Sequence, residues 1–340
     1  MINLYSDTQT RPSDAMRVAM AAAEVGDEQR REDPTVVALE ERVAELLGQE
    51  AAVFLPSGTM CNAIAVRLYI RPGGDQMFLG ENAHPLRFEA GGPAAISGAV
   101  LTVVPGAAGI FTADALRGAL GAVSPGDRYA PRPRLVSVEQ PTNVGGGRVW
   151  PVQQIVDVLD VAAEHGMHSH LDGARLMNAV VASGLSASAY AEPFDTAWID
   201  FTKGLGAPVG ACLAGSGDLI AEAWRYKQMW GGAMRQAGVI AAAGLYALDH
   251  HVDRLADDHA NARRLADGLA AIDGIAIDPD SVETNIVVFD VADAPAFCAA
   301  LEAEGVLMGP LGADRVRAVT HLDVDADGIE RALAAAACAV

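Results

Sequence analysis

The chain has 340 residues, of which 51% are hydrophobic and 20% charged, and its formal net charge is −20. This length corresponds to roughly two domains, and the apolar fraction is sufficient for a hydrophobic core, which argues against disordered, collagen-like and disulfide-scaffold proteins. The excess of acidic residues opposes binding to nucleic-acid phosphates and to anionic lipids.

Short β-type runs alternate with helical patterns through the first two thirds of the chain. Alternation of this kind predicts an α/β protein with a largely parallel sheet that is covered on both faces. The predicted strands are 51–55, 76–79, 101–104, 134–138, 168–171, 196–201 and 209–214. The predicted helices are 34–47, 60–70, 112–120, 152–165 and 176–183.

The pattern changes after residue 217, where helical spacing dominates over 218–230 and again over 234–272. A compact α+β pattern follows, with predicted strands at 285–290 and 315–319 and predicted helices at 295–304 and 326–337. We therefore expect a large domain of residues 1–247 and a smaller C-terminal domain of residues 248–340.

The sequence also bears on the compartment. Its four cysteines are scattered, which favours a reducing environment over a disulfide framework. The N-terminus lacks a basic segment followed by an apolar one, so it does not resemble a signal peptide. The longest apolar-and-glycine stretch, residues 238–248, is shorter than the ~20 residues that cross a bilayer. These features predict a cytoplasmic location and no membrane partner.

Two charged side chains follow apolar strands in the centre of the chain. Asp172 and Lys203 lie where open α/β sheets place their ligand sites, at the carboxyl ends of strands. Such a pair suits pyridoxal 5'-phosphate, because Lys203 would form an imine with the aldehyde and Asp172 would keep the pyridine nitrogen protonated. Ordinary polar residues at strand ends are the alternative for either one taken singly.

A phosphate group would need its own binding site. The segment around Gly58 and Thr59 carries a strand into a glycine turn that opens a helix, where free backbone N–H groups bind anions. His84, in a polar loop, could stack on a pyridine ring or exchange protons near neutral pH. Arg235 follows a glycine pair. Taken alone, the turn at Gly58 is more typical of a plain helix cap and His84 of a solvated loop histidine, while simple helix capping also explains the segment of Arg235.

Two further segments match metal-binding motifs only in part. Residues 323–328 match the first half of an EF-hand loop, but Ala334 occupies the position of the bidentate glutamate. His165, His168 and His170 have no cysteine or second ligand segment nearby in sequence. The sequence by itself therefore predicts no metal site, and Asp325 or Asp327 is expected to cap the following helix.

Considered together, these motifs resemble one family. The chain is similar to the low-specificity L-threonine aldolases, which are fold-type I pyridoxal-phosphate enzymes, over nearly its whole length. The resemblance is carried by residues 6–10 (SDTQT), 56–59 (PSGT), His84 with 88–93 (FEAGGP), 170–176 (HLDGARL), 203–210 (KGLGAPVG), 231–236 (GGAMRQ) and 319–321 (VTH).

The resemblance implies an aspartate aminotransferase-like large domain with a seven-stranded, mostly parallel sheet, a small α+β C-terminal domain and a homotetramer with shared active sites. Threonine and related β-hydroxy-α-amino acids would be cleaved to glycine and an aldehyde. Lys203 would be the Schiff-base lysine, Asp172 the partner of the pyridine nitrogen and His84 the residue stacked on the ring.

The remaining implied roles concern anions and cations. Backbone groups of Gly58 and Thr59, together with Arg235 from a neighbouring subunit, would bind the phosphate. The substrate carboxylate would be held by Ser6, Arg175 and Arg317, with Arg315 a weaker choice than Arg317. Some members of the family carry a structural cation near their N-terminal threonines and lysine loop, which here would be Thr8, Thr10 and Thr202.

The sequence departs from the family at one position. Family members commonly have a Glu-Asn-Thr-His-Asn segment, and here residues 139–143 read EQPTN, so Thr142 replaces the histidine. Threonine can hydrogen-bond a substrate hydroxyl but cannot take its proton at neutral pH. The base is then His84 or an activated water. Another pyridoxal-phosphate activity, such as β-elimination, racemisation or transamination, and a non-catalytic relative are the alternatives.

Overall fold

The computed structural model of the protein describes residues 1–121 and 127–340. The strands are β1 (Ile2–Asn3), β2 (Ala51–Leu55), β3 (Asp75–Gly80), β4 (Val100–Val104), β5 (Arg132–Glu139), β6 (His168–Gly173), β7 (Thr196–Asp200), β8 (Ala211–Gly215), β9 (Ile286–Asp290), β10 (Val306–Leu307), β11 (Gly309–Pro310) and β12 (Arg315–Val319).

The helices of the first half are α1 (Asp14–Ala21), α2 (Pro34–Leu47), α3 (Gly58–Tyr69), α4 (His84–Arg87), α5 (Gly92–Ser97), α6 (Ala113–Leu120) and α7 (Val152–Glu164). Those of the second half are α8 (Leu176–Ser183), α9 (Ala187–Ala191), α10 (Gly217–Met229), α11 (Gly238–His250), α12 (Leu255–Ala270), α13 (Ala294–Ala303) and α14 (Ala326–Ala339). Short 3-10 helices occupy Asp7–Gln9, Glu28–Arg30 and Pro279–Ser281.

The central sheet has seven strands in the order β2-β8-β7-β6-β5-β3-β4. Strand β8 is antiparallel to both of its neighbours, and the other neighbouring pairs are parallel. Strands β2, β5, β6 and β7 therefore point the same way, and their carboxyl ends meet at one edge of the sheet. The predicted α/β class and the mostly parallel seven-stranded sheet are confirmed.

Helices cover both faces of this sheet, because alternate residues of each strand point to opposite sides. On one face Phe54 and Val136 pack in a core with residues of α2 and α7. On the other face Leu55 and Leu135 pack with residues of α3 and α10. The strands are consequently buried on both sides, which explains their nearly continuous apolar sequences.

Capping residues fix several boundaries that apolar spacing alone misplaced. Helix α3 begins at Gly58 rather than at residue 60, because the Ser57 side chain accepts a hydrogen bond from the N–H of Met60. Strand β8 begins at Ala211 rather than at residue 209, because Gly210 adopts a φ of +114°. Asp325 caps α14 through the N–H of Gly328, as predicted.

A second core lies in the C-terminal part of the chain. Strands β11, β12 and β9 form an antiparallel sheet that packs against α12, α13 and α14. The N-terminal strand β1 pairs in parallel with β10, and Ile2 and Leu4 belong to this second core. The division at residue 247 stays a prediction, while the pairing of β1 places the first residues of the chain beside the last hundred.

The described helices include none with enough length and apolar character to cross a membrane.

Candidate active site

The candidate site lies at the edge of the sheet where β2, β5, β6 and β7 end. Strand β2 leads into the first turn of α3, β6 ends at Asp172 and Gly173, and β7 is followed by the loop that carries Lys203. These residues thus lie at or just after the ends of strands whose backbones are held by ladder hydrogen bonds. The sequence-predicted placement of Asp172 and Lys203 at strand ends agrees with this arrangement.

Asp172 is buried and fixed on two sides. Its Oδ2 accepts a hydrogen bond from Asn62 Nδ2 at 2.8 Å, and its Oδ1 accepts one from the N–H of Ala174 at 3.1 Å. Burial raises the pKa of this carboxyl, while a charge on His84, the Asn62 hydrogen bond and Lys203 oppose the rise. A buried carboxylate of this kind gains from a cationic N–H partner, which a protonated pyridine nitrogen would supply.

His84 is the first residue of α4 and is about one third exposed. Its Nδ1 lies 2.8 Å from Oε1 of the buried Glu89. Because a carboxylate oxygen can only accept, Nδ1 carries the proton and, in the neutral ring, Nε2 holds the lone pair. His84 is therefore an oriented imidazole rather than a solvated loop residue.

Lys203 is one of only two lysines in the chain, the other being Lys227. Lys227 is fully buried, with Nζ 2.8 Å from Glu28 and 4.1 Å from the centroid of the Trp224 ring, so it is closed to an aldehyde. Lys203 pairs with Asp200, and its side chain is 16% exposed. It is accordingly the lysine that a cofactor aldehyde could reach.

The start of α3 provides an anion-binding turn. The N–H groups of Gly58 and Thr59 open the helix and have no carbonyl partner within it. A Cβ at Gly58 would overlap the ring of Trp198, so the backbone approaches that ring as closely as only glycine permits. These features fit a phosphate bound through backbone N–H groups.

Arg175 lies just after β6 and is almost fully buried. Its Nε and Nη2 donate to the two carboxylate oxygens of Asp7 at 2.7 Å and 2.6 Å. Asp7 is also contacted by Asn285 Nδ2 at 3.1 Å. Asp7 thus occupies Nε and Nη2 of Arg175. The remaining Nη1 points toward Asn143 and would be available to a substrate carboxylate.

The ionisation of Asp7 should stabilise the fold. Burial opposes it, but the charge and hydrogen bonds of Arg175 lower the pKa of the carboxyl from 3.8 to about 2. Because the folded-state pKa is the lower one, the stabilisation is complete above pH 4 to 5 and is lost as the pH falls toward 2, a total of about 2 kcal/mol.

We therefore expect Asp7→Asn to be less stable than the native chain in urea unfolding at pH 7 and pH 5, by a constant margin. At pH 3 that margin should shrink by about 1 kcal/mol, because part of the Asp7 contribution has already been lost from the native chain. A margin that does not change between pH 5 and pH 3 would contradict this assignment.

Arg317 reaches the same place from β12. Its Nη1 donates to Asn143 Oδ1 at 2.9 Å, and its Nε is buried without a partner among the described residues. Burial and the charge of Arg175 both lower the pKa of Arg317. Two guanidinium groups thus converge on one amide oxygen, an arrangement that an added carboxylate would satisfy.

Arg315, the alternative on the same strand, is placed elsewhere. It is exposed and pairs with Asp290 through two contacts of 2.7 Å and 3.1 Å. Arg315 therefore lies outside this group, and the role of Arg317 at the carboxylate stays a prediction.

Thr142 is buried in the turn that follows β5. Its Oγ1 accepts a hydrogen bond from the N–H of Arg148 at 3.3 Å, and its backbone pairs with Arg148 as well. The neighbouring Asn143, not Thr142, contacts both arginines. The hydroxyl of Thr142 thus accepts a hydrogen bond from the backbone of its own turn.

The N-terminal residues approach the lysine loop. Ser6 is buried and accepts hydrogen bonds from the N–H and hydroxyl groups of Thr8. Thr10 donates to the carbonyl oxygen of Lys203 at 3.0 Å, and Thr202 donates to Asp200 at 2.7 Å. Ser6 lies beside Asp7 and hence near Arg175, and a cation near the three threonines stays a prediction.

Arg235 stands apart from these residues. Its side chain is 65% exposed and pairs with Asp27 at 3.2 Å. Within the part of the chain that the structure describes, none of its recorded contacts involves Lys203, Asp172 or Gly58. A role at the phosphate would thus depend on a second subunit.

Sequence reasoning assigned no role to several residues that hold this site together. Asn62, Glu89, Asp7, Asn143 and Glu139 are the main examples. Asn62 carried a usable signal, because it is a polar residue on an otherwise apolar face of α3. Glu139 pairs with Asp172 in the sheet register, and burial followed by the Asp172 charge raises the pKa of its carboxyl well above the ordinary value.

Known proteins share both the sequence and the fold. A family model described as beta-eliminating lyase matches residues 3–294. Probable low-specificity L-threonine aldolase 2 of Arabidopsis thaliana is 39% identical over 338 residues, 98% of this chain and 95% of that protein. Low specificity L-threonine aldolase of Escherichia coli (strain K12) is 40% identical over 326 residues, 95% of each.

Among solved structures, Leishmania major threonine aldolase matches with a TM-score of 0.84 at 21% identity and covers 99% of this chain and 98% of that chain. This likeness concerns the fold. The matches over nearly the full length of curated relatives establish the family. The chain belongs to the beta-eliminating lyase family and, within it, to the low-specificity L-threonine aldolases.

Proposed function

We propose that this protein is a pyridoxal-phosphate-dependent aldolase that cleaves L-threonine, L-allo-threonine and related β-hydroxy-α-amino acids to glycine and an aldehyde. The observation that carries the proposal is that an accessible lysine and a buried aspartate lie at one edge of the sheet beside two arginines whose Nη1 groups converge on the amide oxygen of Asn143. Asp172 and Lys203 suit the cofactor, while Arg175 and Arg317 suit an amino acid.

The residues present fit the cofactor. Gly58 and Thr59 would bind its phosphate through backbone N–H groups, Asp172 its pyridine nitrogen and Lys203 its aldehyde. When bound, the cofactor supplies an electron sink for the bond that breaks at the substrate α-carbon.

The chain's own residues orient the substrate. Arg317 and Nη1 of Arg175 would hold the carboxylate, with the Ser6 hydroxyl beside them. A carboxylate held at this place would restrict rotation of the amino acid about its α-carbon, and this restriction would favour carbon–carbon cleavage over loss of a proton. Arginine suits this role because its planar donors match a carboxylate.

A base must also take the proton of the β-hydroxyl. We assign this role to Nε2 of His84, since Glu89 fixes the proton on Nδ1. Thr142 cannot supply it, because its hydroxyl is not basic at neutral pH. Thr142 then acts by shaping the turn that carries Asn143, and an activated water is the alternative base.

A product assay tests the proposed function directly. With cofactor supplied, we expect glycine and an aldehyde from L-threonine, L-allo-threonine and L-phenylserine, and none from the D-forms. Ammonia with a keto acid would instead indicate β-elimination, a keto acid without ammonia would indicate transamination, and D-allo-threonine formed from L-threonine would indicate racemisation. A protein that takes up no cofactor would be the non-catalytic relative.

Substitution of Arg317 should act on substrate binding. We expect Arg317→Gln to raise KM for L-threonine about 10- to 100-fold, because hydrogen bonds to a charged group contribute about 1.5–3 kcal/mol. Arg315→Gln is the matched control on the same strand and should leave KM within about twofold, since surface pairs contribute little. Equal effects of the two substitutions would remove Arg317 from the carboxylate site.

We also propose the assembly and location that the family implies, a homotetramer in the cytoplasm with active sites at subunit interfaces. The exposed side chain of Arg235 supports this arrangement, because it can exchange its surface pair with Asp27 for the phosphate in a neighbouring subunit. Mass measurement in solution, together with the cofactor affinity of Arg235→Gln, would test it.

A further inference from the structure

One buried amide connects the two side chains proposed to contact the cofactor ring. Asn62, in the second turn of α3, is 1% exposed. Its Nδ2 donates to Asp172 Oδ2 at 2.8 Å and to Glu89 Oε1 at 2.7 Å. The same Glu89 oxygen accepts from Nδ1 of His84. A continuous hydrogen-bonded chain therefore joins His84, Glu89, Asn62 and Asp172.

The orientation of the Asn62 amide, and with it the direction of these hydrogen bonds, is fixed by the donors that contact its oxygen. Oδ1 of Asn62 accepts from Trp198 Nε1 at 2.8 Å, and an indole nitrogen is a donor only. Nε2 of His170 lies 3.1 Å from the same oxygen. Burial lowers the pKa of His170 to about 3, so its ring is neutral. Because the Asn62 oxygen can only accept, the single ring proton is assigned to Nε2. A flipped amide would set donor against donor at Trp198 and acceptor against acceptor at Asp172 and Glu89.

All hydrogen-bonding groups of the Asn62 side chain are thus used. Its two N–H groups separate two buried carboxylates that would otherwise repel each other, and both carboxylates remain able to accept. Asp172 can then pair with a protonated ring nitrogen, and Glu89 can hold the imidazole of His84. No other amino acid supplies two acceptor contacts and two donor contacts in this shape.

We propose that Asn62 is a positioning residue that sets the orientation of Asp172 and, through Glu89, of His84 toward the cofactor ring. This inference rests on the proposed function, because it concerns the same cofactor. It predicts that Asn62 and Glu89 govern cofactor affinity and ring orientation without touching the cofactor themselves.

Asn62→Asp tests the inference with almost no change in volume. The new carboxylate oxygen replaces the N–H donors and faces Asp172 and Glu89, so one of the three carboxyl groups must take up a proton. We expect the dissociation constant for pyridoxal phosphate to rise about 10- to 100-fold, in line with the loss of hydrogen bonds to charged groups.

Glu89→Gln is the second variant. It keeps an oxygen that accepts from Asn62 but removes the charge, and we expect the dissociation constant to rise about fivefold. Asn261→Asp is the matched control, because Asn261 is a partly buried asparagine in α12 whose Nδ2 donates to the carbonyl of Val324. It should bind pyridoxal phosphate like the native chain.

The experiment titrates each full-length apoprotein with pyridoxal phosphate and follows the visible absorption and circular dichroism of the bound cofactor, with thermal unfolding of each apoprotein in parallel. The affinity order native, Glu89→Gln, Asn62→Asp, with altered visible circular dichroism in both variants, supports the inference. If Asn62→Asp does not fold, Glu89→Gln decides alone by the same two readouts.

Other results overturn the inference. A merely structural role would lower the unfolding temperature of Asn62→Asp and leave the affinity and visible circular dichroism of Glu89→Gln native-like. Native-like binding by both variants would exclude coupling through the amide. Failure of the native chain itself to bind pyridoxal phosphate would instead refute the proposed function, and the inference with it.

Discussion

Lys203→Ala should abolish covalent binding of pyridoxal phosphate and lower glycine release from L-threonine by at least ~10³-fold. The reason is that the chain has two lysines and the other, Lys227, is sealed in a buried pair with Glu28. No second amine of a lysine side chain can substitute. The loss is measured by the product assay and by disappearance of the visible band of the cofactor.

Peptide mapping gives this prediction an independent readout. Borohydride reduction of the native protein with pyridoxal phosphate should attach the cofactor to the peptide that carries Lys203, and Lys203→Ala should show no labelled lysine. The far-ultraviolet circular dichroism of the variant should match that of the native apoprotein. Labelling of Lys227 in either protein would show that the assignment is wrong.

Asp172→Asn should lower glycine formation by about 10³-fold and weaken cofactor binding about 10- to 100-fold. An asparagine cannot offer a negative charge to a protonated pyridine nitrogen. It also places an N–H₂ group opposite Nδ2 of Asn62 or the N–H of Ala174, and Asn62 cannot turn over because Trp198 donates to its oxygen. The same titration and product assays measure both effects.

Asp195→Asn is the matched control for this substitution. Asp195 precedes β7 at the opposite edge of the same sheet, where its carboxylate accepts from the N–H and hydroxyl groups of Ser169. We expect its rate and cofactor affinity to stay within about threefold of native, as for a partly exposed polar contact. If Asp172→Asn behaved like Asp195→Asn, the ring nitrogen would need another partner.

The strand and helix pattern was predictable from the sequence because it depends on local spacing. Buried parallel strands are apolar throughout and are separated by amphipathic helices, so all seven strands of the central sheet appear in the sequence within a few residues. The short strand β1 was not predictable, because its two residues form a strand only through their pairing with Val306 and Leu307, which lie near the other end of the sequence.

The candidate site was predictable in part for a similar reason. Asp172 and Lys203 each follow an apolar strand, which is a local signal, and the motifs around them identify the family. The partners of these residues gave no comparable signal. Asp7 meets Arg175 across 168 positions, and Asn62 meets Asp172 across 110, so only the folded sheet brings each pair together.

The sequence by itself determined the fold class and the family, and it predicted the residues that would carry the reactive groups, because these depend on periodicity and on short motifs. Only the tertiary structure shows which oxygen and nitrogen atoms of these side chains already form hydrogen bonds within the protein. It shows Arg175 held by Asp7, Thr142 held by its own turn, and His84 and Asp172 joined through one buried amide. Hydrogen bonds between distant segments fix these states, and no local spacing encodes them.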